Sequence, residues 1–173
     1  FVNHEIVTVS GLANGVDQIA HGESVRYGIK TVAVLGNGIF NDYPKGSEEL
    51  RKKILDGGGA IVSEYLPHDS YSAENFVRRN RIQAALCKTL VPVEWKIKSG
   101  TAHTVKYAHE LRKNIANVYL PGTFNLRGEL EFSKRERGAT AWLLPKEIEL
   151  FLDEVLGCNN GLMPEGYQKE LKF

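Results

Sequence analysis

Three arginines within four positions, Arg78, Arg79 and Arg81, follow Phe76 in the run Phe76-Val77-Arg78-Arg79-Asn80-Arg81-Ile82. Guanidinium groups this dense beside an aromatic ring suit a phosphate backbone carrying unstacked bases. The apolar spacing of Ile82, Ala85 and Leu86 predicts a helix over 76–87, with the arginines at its start. The helix dipole prefers carboxylates there, so the placement costs roughly a few tenths of a kcal/mol unless an anion compensates. A solvated charged face would interleave acids, yet none occurs between Glu74 and Glu94. Phosphate binding therefore outranks a merely solvated face. From 70 to 113 there are nine Lys/Arg against three Asp/Glu, with Tyr71, Phe76 and Trp95 in or beside the basic run. Those aromatics suit bases, or equally a core.

Glycine-rich turns are the second source of candidate chemistry. Ser10-Gly11-Leu12-Ala13-Asn14-Gly15 would let the backbone approach a phosphate, or form a tight turn packed on a sheet. Its G-x-x-x-G order departs from the dinucleotide fingerprint. Gly36-Asn37-Gly38 supports both readings equally. The segment Lys96-Ile97-Lys98-Ser99-Gly100-Thr101 ends in hydroxyls and amides at a predicted helix start, where they either hold a phosphate or cap the helix. No catalytic constellation emerges. Ser10 is not in G-x-S-x-G, His21, His103 and His109 lack a nucleophile or metal partner at useful spacing, and Glu94 is the one isolated acid of note. No cofactor and no metal site is implied.

The elements that must position these residues alternate. Strands are predicted at 6–9, 31–35, 60–63, 90–93, 118–120 and 141–144, mostly continuous apolar runs of the kind covered on both faces. Helices are predicted at 15–27, 47–56, 76–87, 101–113 and from Pro145 to Leu156. This pattern predicts an α/β fold, a Rossmann-like doubly wound and mostly parallel sheet with helices on both faces. Residues 1–157 form the expected domain, and 158–173 lack periodicity and read as a tail or linker.

The chain has 173 residues, 22 Lys+Arg against 21 Asp+Glu, and 42% hydrophobic residues. Those values fit one globular domain and exclude collagen, coiled coil and disorder. No apolar run approaches the roughly 20 residues a membrane span needs, and no signal-peptide plan opens the chain. Cys87 and Cys158 are expected to be reduced thiols in the cytosol. A net charge of +1 conceals segregation, because the basic excess of 70–113 is offset by acids such as Glu147, Glu149, Asp153, Glu154, Glu165 and Glu170.

Many motifs in register resemble one family. Ser10-Gly11-Leu12-Ala13-x-Gly15-x-Asp17 with Ala20-His21, Thr31-Val32-Ala33-Val34-Leu35-Gly36-x-Gly38 with Tyr43-Pro44, Ser63-Glu64-Tyr65, Phe76-x-x-Arg79-Asn80-Arg81-Ile82, Val93-Glu94, Ser99-Gly100-Thr101 and Pro121-Gly122 are similar to the DNA-processing protein A (DprA/Smf) family over about residues 7 to 144. The resemblance implies a homodimeric, cytoplasmic, non-catalytic protein that binds single-stranded DNA and helps load RecA recombinase during natural transformation. By the same resemblance Gly11 and Gly15 line a phosphate pocket, Phe76 contacts a base, Arg79 and Arg81 belong to the basic pocket, and Asn80 braces the loops. The family's first strand, ending in Gly-Ser-Arg, has no counterpart, so the chain is expected to enter its fold partway. Asn14, Val77 and Lys88 stand where the family has Arg, Pro and Asp, and 124–137 is more charged than is typical. Two other functions stand beside this one: a nucleotide-ligand sensor using the Gly11, Gly38, Ser99 and Thr101 pocket, and, ranked last, an enzyme resembling the phosphoribohydrolases, whose glycine-rich signature is here reduced to Ser99-Gly100-Thr101.

Overall fold

The computed structural model describes residues 5–157. The expected tail at 158–173, with Cys158, lies outside the described residues. Strands and helices alternate in the order β1 (Val7–Ser10), α1 (Val16–Arg26), β2 (Lys30–Val34), α2 (Glu48–Asp56), β3 (Ala60–Val62), α3 (Ala73–Leu86), β4 (Thr89–Leu90), α4 (Gly100–Glu110), β5 (Asn114–Tyr119), α5 (Gly128–Arg137), β6 (Thr140–Leu143) and α6 (Ile148–Leu156). All strand pairs are parallel, in two three-stranded groups ordered β1-β2-β3 and β4-β5-β6. The α/β, Rossmann-like expectation is borne out.

Alternate residues of each strand explain why both faces are covered. Ala33 and Leu35 pack with Ile54 and Leu50 of α2 and Val25 of α1. On β2, Val34 offers its carbonyl to Arg79 of α3. On β5, Ile115 packs with Ala84, Trp95, Val105 and Ala108 on the side of α3 and α4, whereas Ala116 and Val118 pack against Phe151 of α6. On the same face of β5 as Ile115, Asn117 is fully buried. It accepts from Trp95 Nε1 at 3.1 Å and donates to the Ser133 hydroxyl and the Thr140 carbonyl. One amide side chain thus ties β5 to β6, α5 and the loop after β4.

Several boundaries differ from the sequence expectation. The fourth strand pairs only over Thr89–Leu90, because Pro92 has no N–H to give a ladder. The last helix begins at Ile148; Pro145 lies in the preceding turn, and so is not its first helical residue. Helix α3 begins at Ala73, because Ser72 caps it by accepting from the Asn75 N–H at 3.0 Å. The arginines therefore occupy its second and third turns, past the first turn where the dipole acts strongly. That removes the dipole cost inferred from sequence. Helix α5 was not anticipated: Leu130 and Ser133 are its buried inner positions with Glu129, a stripe too polar to register as periodic. Its stability is helped by Glu129 and Glu131 in the first turn and Lys134, Arg135 and Arg137 in the last.

Replacing Asn117 by Ala strands the indole N–H of Trp95 in the core. The expected loss is about 1–3 kcal/mol of unfolding free energy, read by denaturant melts; a loss below about 0.5 kcal/mol would show that the node is not structural.

Candidate nucleic-acid interface

The turn after β1 is organised from within. The Asp17 carboxylate, in the first turn of α1, accepts from the Ser10 hydroxyl at 2.7 Å and from the Ala13 N–H at 3.2 Å. Leu12, at φ 65°, is driven fully into the core beneath the turn. Gly15 holds φ 94° with open space around it, so its requirement is conformational. At Gly11 the requirement is room, since a Cβ there would overlap the Arg79 guanidinium.

Helix α3 runs under the turns that follow β1, β2 and β3. Phe76 lies against Gly36, where a Cβ would overlap the ring. One helical turn on, Arg79 is 4% exposed. Its Nη1 donates to the Gly11 carbonyl at 2.6 Å and to the Val34 carbonyl, while its Nε has no partner. Burial pushes its pKa below the ordinary value, and Asp17 partly opposes that shift. Among the described residues no carboxylate forms an ion pair with it. Asn80, also buried, donates to the Gly100 carbonyl at 3.0 Å and so joins α3 to the start of α4. Arg81 is exposed and paired with Glu64 in the turn after β3. Arg78 is exposed and makes no ion pair among the described residues.

Beside the arginines stands a row of three rings. Tyr43 and Tyr71 stack with centroids 3.8 Å apart, Tyr43 and Phe76 at 5.2 Å, and Arg79 lies 5.8 Å from the Phe76 ring centre. Tyr71 is 51% exposed, which leaves part of the row open to solvent. Sequence reasoning named Tyr71 and Phe76 but gave Tyr43 no role in the site. The sequence separation of 28 between Tyr43 and Tyr71 hides the stack, and only the Tyr43-Pro44 motif points to it.

The remaining candidates divide. Ser99 precedes α4 but makes no cap; its hydroxyl donates to the Lys96 carbonyl at 2.7 Å. Gly100, Lys96 and Lys98 are exposed and Thr101 is half-buried. Gly38 is buried because the Leu66 and Pro67 carbonyls occupy the space of a Cβ. Trp95 is 4% exposed, so of its two sequence readings the core one holds. His21 is fully buried, with Nδ1 2.7 Å from the Thr31 hydroxyl. Among the described residues no three His, Cys, Asp or Glu side chains gather as a metal site, and no helix is long and apolar enough to cross a membrane.

This architecture defines a Rossmann-like α/β protein with a cationic, aromatic-flanked helix beneath its strand-end turns. The chain belongs to the DNA recombination-mediator protein A family, whose model matches residues 1–149. It is 37% identical over 122 residues to the DNA processing protein DprA of Streptococcus pneumoniae, covering 70% of this chain and 42% of that one. To the protein Smf of Escherichia coli it is 37% identical over 117 residues, covering 68% of this chain and 31% of that one. The chain thus spans less than half the length of these relatives. Among solved structures, DNA processing protein A of Streptococcus pneumoniae superposes with TM-score 0.71 at 30% identity, over 86% of this chain and 52% of that one. DNA processing protein A of Helicobacter pylori, described for its single-stranded DNA binding mode, superposes with TM-score 0.72 at 25% identity, over 88% of this chain and 66% of that one.

Beneath the first turn, burial lowers the pKa of His21 from 6.5 to about 4, against the opposing pull of Asp17. Between those values the unfolded chain binds the proton and the folded one does not. Stability is therefore full above pH about 6.5 and falls by roughly 3 kcal/mol as the pH drops to about 4. Urea melts across that range should show the decline, and His21→Gln, which has no proton to bind there, should flatten it.

Proposed function

We propose that this chain binds single-stranded DNA across the turns after β1, β2 and β3, within a domain spanning residues 1–157. The observation that carries the reading is Arg79. A guanidinium buried without a carboxylate costs several kcal/mol unless its charge is answered. Elsewhere in the same fold the sequence answers it: Arg127 donates to the Val118 and Val93 carbonyls at 2.8 and 3.0 Å, and Glu129 pairs with it at 2.6 Å. At Arg79 the acid is missing, and a phosphate above Gly11 and Gly15 would take its place. Poorly screened by solvent, the buried charge raises the potential of the turn above it, while Arg78 and Arg81 meet the backbone directly. A base stacks on the exposed end of the Tyr71, Tyr43 and Phe76 row. The Helicobacter pylori relative, with its single-stranded DNA binding mode, supports this reading.

In this proposal the protein works by holding the strand and not by catalysis, as a cytoplasmic homodimer that passes the strand to RecA recombinase. The resemblance and the family's description as a recombination mediator support those finer points.

Two exposed positions test the proposal without disturbing Arg79. Tyr71→Ala should weaken oligo-dT binding about 5- to 150-fold, the equivalent of about 1–3 kcal/mol of lost stacking. Arg78→Ala should lower the slope of log affinity against log salt by about 0.7. Anisotropy titrations in which both variants match the parent would overturn the reading. A thermal shift with mononucleotides and none with oligonucleotides would favour a nucleotide sensor instead.

A further inference from the structure

A cleft of about 590 Å³ opens at the start of α4, lined in part by Gly100, whose carbonyl accepts from Asn80. Lys98, His103, Lys106 and Arg137 line it above a floor that includes Ile97 and Phe132, and no Asp or Glu is among its lining residues. Lys98 and His103 make no ion pair among the described residues. Lys106 reaches Glu110 only at 3.8 Å, with both side chains more than half exposed, an attachment worth little against a phosphate. Arg137 lies 5.9 Å from the Phe132 ring centre, which places a cation next to an aromatic face. Ile97 is 47% exposed, so part of the floor is apolar and open to solvent.

We infer that this cleft is a second subsite for the same DNA strand, taking phosphates on Lys98, Lys106 and Arg137 and a base over Ile97 and Phe132. The inference rests on the single-stranded DNA reading above and extends its reach. Continuity carries it. Asn80 lies one helical turn beyond Phe76 on α3, about 6 Å along the axis, and its amide holds Gly100 at the rim of the cleft. A strand running from the aromatic row along α3 in that direction is led towards Gly100 and the cleft that it lines. Charge complementarity fixes the kind of occupant, because three permanent cations with no lining acid repel a basic partner and attract a polyanion. Ser99 and Gly100, candidates for phosphate on sequence grounds, line this cleft.

The test compares oligo-dT of about 6 and about 15 nucleotides, lengths that fill one subsite or both. With the full chain, Lys98→Ala, Lys106→Ala and Arg137→Ala combined should leave the short oligonucleotide's affinity within about twofold. For the long one the same variant should weaken binding at moderate salt and lower the salt slope by about 2, from three phosphate contacts at roughly 0.7 each. The double variant Lys98→Glu and Lys106→Glu keeps the Arg137–Phe132 contact; it guards against a folding defect and should weaken the long complex further. If both variants bind the long oligonucleotide with the parent's affinity and slope, the second subsite is overturned and the cleft is left to an acidic protein partner. If the parent itself binds neither length, the single-stranded DNA reading falls and takes this inference with it. Loss of short-oligonucleotide binding in Tyr71→Ala, with the triple variant unaffected at both lengths, sinks the second subsite alone.

Discussion

The buried Arg79 guanidinium sets the terms for the surface around it. By donating to the Gly11 carbonyl just past β1 and to the Val34 carbonyl that ends β2, it fastens α3 beneath two strand ends at once. Hydrogen bonds from a charged donor are each worth about 1.5–3 kcal/mol, so the anchorage is strong as well as directional. Once Arg79 is fixed, helical geometry distributes its neighbours. Phe76, three positions back, falls under Gly36; Asn80 turns towards α4; Arg81 reaches Glu64; and Arg78 is left on the solvent side. The glycines follow from the same constraint. Gly11 leaves room for the guanidinium and Gly36 for the ring, so a side chain at either position must displace Arg79 or Phe76 from where it sits.

Arg127 shows that the constraint is used twice with different electrostatics. Both arginines tie together carbonyls near the ends of neighbouring strands, which would otherwise lie half-buried and short of donors. Arg127 follows a short 3-10 turn at Phe124–Leu126 and has Glu129 two residues on, so its charge is neutralised locally. Arg79 has only the more distant field of Asp17, whose carboxylate is already occupied by Ser10 and Ala13. The first half of the fold therefore carries an unbalanced positive charge just below its surface, and the second does not. This asymmetry, not the count of arginines, sets the two turns apart electrostatically.

The α/β order could be read from sequence because parallel strands leave continuous apolar runs, and Val32-Ala33-Val34-Leu35 needs no partner to be seen. What could not be read is where a side chain goes once two distant segments meet. Arg78, Arg79 and Arg81 look alike in the chain, yet one is buried, one is paired and one is exposed without an ion pair among the described residues. The difference comes from β1 and β2, 45 to 68 positions away. Gly11 was selected as a residue that lets a phosphate approach; its crowding by Arg79 supplies a packing reason that local sequence cannot contain. Helix α5 escaped notice because its inner face includes Glu129 and Ser133, polar groups that become satisfied only against Arg127 and Asn117.

A near-neutral chain can present a cationic ridge only if its charges are sorted along the fold, and α3 and α4 do the sorting. Of the basic groups of 70–113, Arg78, Arg79, Arg81 and Lys106 lie on these two adjoining helices and Lys96 and Lys98 on the loop into α4, with Lys88, Arg112 and Lys113 following the helices, whereas Glu149, Asp153 and Glu154 belong to α6, on the opposite face of β5. Glu154 is further occupied in accepting from Thr140 and Trp142. The acids of α6 thus lie across the sheet from the helices that carry Arg78, Arg79, Arg81 and Lys106, and screening confines each field to about 8–10 Å. A ridge of this kind does not discriminate sequence, because phosphates carry none. The aromatic row adds the second condition. Two of its rings, Tyr43 and Tyr71, are set in loops and the third, Phe76, in α3; such rings can receive a base face only when that base is not already stacked in a duplex. Cations beside rings open at their edge are the features on which the proposal of a single strand, and not a duplex, rests.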